Sequence, residues 1–225
     1  MVKRFDCLKL LASWLDEHAL TVTSRGGNAR EWAHLRPAGA NFHSLNMGTC
    51  MSFAIGLALA FPKRKVIAID SDGSLLLDTS SLVTLADVNP PNLLALVFDN
   101  QAYANMGATA TARGADLAKM AQGAGVQKAV TITSNEDFAF RVKPALEAQA
   151  LSFFVLKSES GRAQVKVDSR LIHGRPMLEH FISALLRHPD YQGKRIGRKG
   201  LRWVITKDQS SQQLDFAHAL AHCVS

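Results

Sequence analysis

The stretch Lys65-Val66-Ile67-Ala68-Ile69-Asp70-Ser71-Asp72-Gly73-Ser74 decides the fold. It opens as a nearly continuous β-branched run, the mark of a strand buried on both faces of a parallel sheet. The run stops abruptly in the polar turn Ser71-Asp72-Gly73-Ser74. A second pair of this kind follows, in which Leu93-Leu94-Ala95-Leu96-Val97-Phe98 ends in Asp99-Asn100. Between the two, Thr79 to Val88 reads as a helix that Asp78 or Thr79 can cap. Asn89-Pro90-Pro91-Asn92 breaks it.

The same alternation extends in both directions. Upstream, the periodicity of Phe5 to Leu15 predicts an amphipathic helix, and Leu20-Thr21-Val22-Thr23 a short strand. That strand runs into Ser24-Arg25-Gly26-Gly27-Asn28, where a glycine turn exposes backbone N–H groups suited to phosphate. Ala29 to Leu35 reads as a helix, then a loop with Pro37 and Gly39, then a small-residue helix from Gly48 to Ala60. Downstream, helices are expected at Asp116–Gly123, Glu136–Ala148 and Pro176–Leu186, with strands at Ala129–Thr133 and Leu151–Lys157. Strands alternating with helices predict an α/β chain, a three-layer parallel sheet with helices on both faces. Residues 1–190 form that domain in this reading. Residues 191–225 are a basic C-terminal extension in which the pattern degrades.

Composition limits the function classes. The 225 residues are 47% hydrophobic and 20% charged, a globular balance. The longest apolar-rich run, Met51 to Phe61, is too short to span a membrane. Met1 to Asp6 lacks a signal peptide's apolar region, so a cytoplasmic protein is expected. Cys7, Cys50 and Cys223 lie far apart and form no CxxC pair, which argues against a disulfide framework, a zinc site or an iron–sulfur cluster. The net charge of +7 is weighted toward Arg187 to Lys207 but carries no interleaved aromatic platform, so nucleic acid is not an expected partner.

In open α/β sheets, ligands sit beyond the carboxyl ends of the strands. Asp72 and Asn100 end successive strands 28 positions apart, the length of one crossover, so both reach the same sheet edge. A carboxylate and an amide oxygen, completed by diphosphate oxygens and water, suit Mg²⁺, a small hard cation usually shared with phosphate. Alone, Asp-Gly-Ser after a strand is ordinary turn chemistry. The joint spacing is what favours a site.

These residues give the chain a resemblance to the diphosphate-binding domain of thiamine diphosphate enzymes, and within that family to sulfopyruvate decarboxylase β subunits and phosphonopyruvate decarboxylases. The likeness covers about Val22 to Lys157. It includes Asn46-Met47-Gly48, Asp70 to Leu76 and Phe98-Asp99-Asn100-Gln101-Ala102-Tyr103, and more faintly Gly26 to Glu31. The resemblance implies that Asp72, Asn100 and the main-chain carbonyl of Ala102 bind the metal. It sets Ser71, Gly73, Ser74 and Asn28 against the diphosphate. Met47 would wedge the cofactor into a V shape, while the backbone around Leu45 and Met47 binds the pyrimidine edge. Tyr103 and His43 are candidates to face the cofactor or substrate, with His43 the candidate catalytic group. Two positions depart from the family's pattern. Ser71 replaces a glycine, which matters if that position needs a positive φ, and Asp99 replaces an asparagine.

The family's activating glutamate belongs to a separate pyrimidine-binding domain, for which Met1 to Asn41 offers no room. The resemblance therefore implies a hetero-oligomer whose other subunit supplies that glutamate, acting on a small 2-oxo acid. A carboligase subunit resembling acetolactate synthase and a non-catalytic regulatory relative are the alternatives. A plain nucleotide-binding domain is weaker, because no GxGxxG or Walker pattern follows a strand.

Overall fold

A computed structural model describes residues 1–104 and 106–187, and the backbone of 194–199 and 202–207. Six strands form one parallel sheet: β1 (Leu20–Ser24), β2 (Asn41–Leu45), β3 (Val66–Ser71), β4 (Leu93–Asp99), β5 (Ala129–Ile132) and β6 (Ser152–Lys157). Their order across the sheet is β2-β1-β3-β4-β6-β5. The helices are α1 (Arg4–Trp14), α2 (Gly27–Leu35), α3 (Cys50–Ala60), α4 (Asp72–Leu75), α5 (Ser81–Val88), α6 (Leu117–Gly123), α7 (Asn135–Glu147) and α8 (Gly174–Leu186).

The apolar runs split by alternation between two cores, because successive side chains of a strand point to opposite faces. Val66, Ala68, Leu93, Ala95 and Val97 pack with residues of α3, α5, α6 and α8. Ile67, Ile69, Leu94, Leu96 and Phe98 pack with residues of α1, α2 and α7. The three-layer expectation is met.

Helix ends follow their side chains. Asp116 accepts from the Ala118 and Lys119 N–H groups at 3.1 Å, and Ser134 from Asp137 N–H at 3.1 Å, each capping a first turn. Neither Asp78 nor Thr79 caps α5 through its side chain. Its N-cap is Ser80, and the Ser81 hydroxyl instead donates to the Asp78 carbonyl at 2.6 Å.

Two elements depart from the sequence expectation. The loop expected after α2 contains the edge strand β2, and the Ser71 turn continues as the single-turn helix α4. In the basic extension, Lys194–Lys199 and Arg202–Lys207 pair antiparallel as β7 and β8. The proposed boundary at residues 190 and 191, and Cys223, lie outside the described residues.

The chain leaves β1 for β2 on one side, then places β3 on the other side of β1. This is a topological switch point, where the connections diverge and open a crevice at the carboxyl ends of the strands. The segments that leave β1 and β3 there are Arg25 to Asn28 and Ser71 to Ser74.

Candidate functional site

Side chains stitch these segments together. Asn28, 3% exposed, donates through Nδ2 to the Asp70 carbonyl at 2.9 Å, joining the β1 turn to the end of β3. Its Oδ1 has no partner. Asp70 is buried and accepts the Ser71 N–H at 2.8 Å. Burial pushes its carboxyl up to about 6, although the Ser74 hydroxyl, the Ser71 N–H and the Ser24 hydroxyl pull the other way.

Ser71 sits at φ −126° and ψ 158°, ordinary extended backbone, so a serine is unstrained there. Its Oγ accepts the Ser74 N–H at 3.3 Å and caps α4. The Ser74 Oγ in turn accepts the Gly48 N–H at 3.1 Å, which ties the Met47 segment to the same turn. In that segment Thr49 N–H bonds the Asn46 carbonyl at 3.1 Å, with Gly48 at φ 86°. This is the third position of a tight turn that demands a left-handed residue. Met47 consequently stands partly exposed at 39%, whereas Leu45 is buried and its carbonyl accepts the Arg25 N–H at 2.9 Å.

The register brings the two strand ends together, with Ser71 opposite Phe98. Asp72 and Asp99 are both 1% exposed. Asp72 Oδ2 accepts the Thr109 hydroxyl at 2.7 Å, and Thr111 Oγ1 lies 3.2 Å from Asp72 Oδ2 and 2.7 Å from Asp99 Oδ1. Lys157, at the end of β6, pairs with Asp99 Oδ2. Asp72 makes no ion pair among the described residues, and its Oδ1 has no hydrogen-bond partner. Burial and the neighbouring Asp99 push the Asp72 carboxyl above its ordinary range, against the Thr109 hydroxyl, the Gly73 N–H and the Thr111 hydroxyl. Of these two buried carboxylates, only Asp99 has a lysine beside it among the described residues. A buried carboxylate requires a partner when ionised, and Oδ1 is the Asp72 atom open to one.

Asn100 is half-buried, and its Oδ1 accepts the Ala102 N–H at 3.1 Å, which leaves that oxygen a second lone pair. The loop then folds back on itself. Tyr103 N–H bonds the Gly107 carbonyl at 2.8 Å and Thr109 N–H bonds the Gln101 carbonyl at 3.0 Å. Tyr103 lies over Gly73, where a Cβ would meet its Cε1 at 2.5 Å. Of the four non-glycine residues with positive φ among those described, Gln101 (62°) and Ala104 (49°) are in this loop and Ser44 (63°) is beside Leu45. Strain of this kind collects at binding sites.

The sequence makes His43 a candidate to face the cofactor or substrate. The structure buries it at 1% exposure in β2, with neither ring nitrogen partnered. Burial, and then His180, lower its pKa to about 3, so the imidazole is neutral. Thr109, Thr111 and Lys157 are site residues that the sequence reading missed. The alternation Thr109-Ala110-Thr111 was visible, but nothing local says that it returns to Asp72.

Sheet, switch point and turn chemistry define an α/β protein with buried polar groups gathered at the carboxyl ends of its strands. Residues 27–156 match the family described as thiamine pyrophosphate enzyme, C-terminal TPP binding domain. The chain belongs to that family. It is 33% identical over 159 residues to the sulfopyruvate decarboxylase subunit beta of Methanocaldococcus jannaschii, covering 69% of this chain and 84% of that one. It is 32% identical over 145 residues to the phosphonopyruvate decarboxylase of Streptomyces viridochromogenes, covering 64% of this chain and 36% of that protein. The fold is also similar to the crystal structure of benzoylformate decarboxylase from Polynucleobacter necessarius, with a TM-score of 0.62 at 15% identity. That match covers 72% of this chain and about a third, 34%, of the other.

Proposed function

We propose that this chain is the cofactor-binding subunit of a cytoplasmic, heteromeric 2-oxo acid decarboxylase, a carbon–carbon lyase dependent on thiamine diphosphate and Mg²⁺. Its substrate is an acidic 2-oxo acid such as sulfopyruvate or phosphonopyruvate. The observation that carries this reading is Asp72, a buried carboxylate with a free Oδ1 and no ion pair among the described residues, in a chain of the thiamine pyrophosphate enzyme family.

Asp72 Oδ1, Asn100 Oδ1 and the Ala102 carbonyl hold the Mg²⁺, a ligand set of oxygens that such a cation prefers. Ser71, Gly73, Ser74 and Asn28 lie against the diphosphate. The free Asn28 Oδ1 supports that assignment. Met47, held out by the Gly48 turn, is the wedge under the cofactor, and the backbone at Leu45 and Met47 meets its pyrimidine edge. Tyr103 covers the diphosphate side. When bound, thiamine diphosphate supplies the electron sink for cleaving the bond to the departing CO₂. This chain binds and orients the cofactor and keeps water from it. A second subunit carries the activating glutamate on a pyrimidine-binding domain. His43 stays neutral inside the fold, and a proton-transfer role for it requires substrate to reach a buried side chain of β2.

Decarboxylation of sulfopyruvate and phosphonopyruvate by the chain purified with its native partner, read as CO₂ release, tests the proposal. Release that needs both subunits, thiamine diphosphate and Mg²⁺, and that disappears in Asp72→Ala, is expected. No release from either acid would refute the substrate class, and full activity of this chain alone would refute the heteromer.

A further inference from the structure

Asp72 has two oxygens, and the fold treats them differently. Oδ2 receives the Thr109 hydroxyl at 2.7 Å, while Oδ1 is left free in a buried position. Thr109 is itself completely buried, and Thr111 is 3% exposed. The two hydroxyl oxygens are 2.8 Å apart. Each hydroxyl has a single proton. The shortest contacts assign the Thr109 proton to Asp72 Oδ2 and the Thr111 proton to Asp99 Oδ1. Asp99 is further held by Lys157 and by the Gln101 N–H at 3.2 Å. The loop that delivers Thr109 is pinned at its base by the bond from Thr109 N–H to Gln101 O, next to the positive φ of Gln101.

We propose that Thr109 is a positioning residue for the cation: its hydroxyl occupies Asp72 Oδ2 and fixes the carboxylate so that Oδ1 alone faces the metal. Thr111 and the Lys157–Asp99 pair hold the neighbouring charge in place, so that of Asp72 and Asp99 it is Asp72 that is left for a cation to neutralise. This rests on the reading of Asp72 as a metal ligand. Groups that orient a metal ligand from behind typically change affinity 10- to 100-fold when removed, although they never touch the metal.

Mn²⁺, a paramagnetic stand-in for Mg²⁺, provides a readout independent of turnover. The full chain, with any copurifying subunit and saturating thiamine diphosphate, is titrated with Mn²⁺ and followed by electron paramagnetic resonance. Thr109→Val is expected to weaken Mn²⁺ binding about 10- to 100-fold, and Thr109→Ser to restore it, because serine keeps the hydroxyl. A purely packing role predicts the reverse rescue, since valine keeps the shape and serine does not. If Thr109→Val does not fold, Thr109→Ala removes the same hydroxyl and carries the same expectation. Equal Mn²⁺ affinity in wild type and the hydroxyl-less variant, or failure of serine to restore it, would overturn the positioning role alone. Absence of Mn²⁺ binding by the wild type would overturn the metal-ligand reading of Asp72, and the proposal with it.

Discussion

Gly73 and Tyr103 are matched to each other at the level of single atoms. A Cβ on residue 73 would sit 2.5 Å from Tyr103 Cε1 and 2.7 Å from Cδ1, so an alanine there must drive the ring away. Overpacking of this kind costs about 1–3 kcal/mol, while alanine gains about 1 kcal/mol over glycine within a helical turn. The clash wins narrowly in the native background. Gly73→Ala is therefore expected to destabilise by about 1 kcal/mol, and to become neutral or stabilising once Tyr103→Ala has removed the ring. Urea unfolding of the double-mutant cycle reads this directly, and strictly additive effects would show that the two residues are independent. Ser71 belongs to the same scale. The sequence raised the question of whether a serine could stand at a family glycine. Its extended φ and its cap on the Ser74 N–H answer that no left-handed residue is required.

At the scale of elements, β3 and β4 were legible because their β-branched and aliphatic runs are buried on both faces and end in abrupt polar turns. Strand β2 was not. It is an edge strand of five residues carrying Asn41, His43 and Ser44, and its register slips beside Ser44. What holds it is a hydrogen-bond chain that no local pattern announces. Trp32 Nε1 donates to Thr21 Oγ1 at 2.7 Å, and the Thr21 hydroxyl donates to Asn41 Oδ1 at 2.6 Å, linking α2, β1 and β2. The site shows the same division. Asp72 and Asn100 could be found from spacing, whereas Thr109, Thr111 and Lys157 meet them only through the tertiary fold. Thr21→Val keeps the shape but leaves a buried N–H and a buried carbonyl unpaired. Each costs about 1–3 kcal/mol, so a loss of about 3 kcal/mol in denaturant unfolding is expected, with Thr21→Ser near wild type. A change below about 0.5 kcal/mol, within the range of an ordinary surface substitution, would mean that the chain of bonds does not anchor the edge.

At the scale of the whole molecule, the buried groups set how the fold responds to its surroundings. His43 has a folded pKa of about 3 against an unfolded value of 6.5, lowered by burial and by His180 on α8. Below 6.5 the unfolded chain binds a proton that the folded chain refuses, so stability falls as pH drops from 6.5 toward 3 and is fully present above 6.5. The full effect is up to about 5 kcal/mol. In His43→Leu the unfolding free energy should lose most of this slope between pH 6.5 and 4, and an identical slope would remove His43 as its source. Burial also raises the thiol of Cys7 to about 12 and holds that of Cys50 well above its usual range. Thiol titration of the native protein should find no more than one reactive cysteine; two or three would contradict the packing. Among the described residues no helix is long and apolar enough to cross a membrane.

In the proposed function, Asp72 and its neighbours form the metal-and-diphosphate half of an active site. Isothermal titration of thiamine diphosphate into the full chain with its copurified partner, with and without Mg²⁺, measures it most directly. Saturable, Mg²⁺-dependent binding that is lost in Asp72→Ala while the variant remains folded is expected. Failure of the wild-type complex to bind, or Asp72→Ala binding as tightly as wild type, would contradict it.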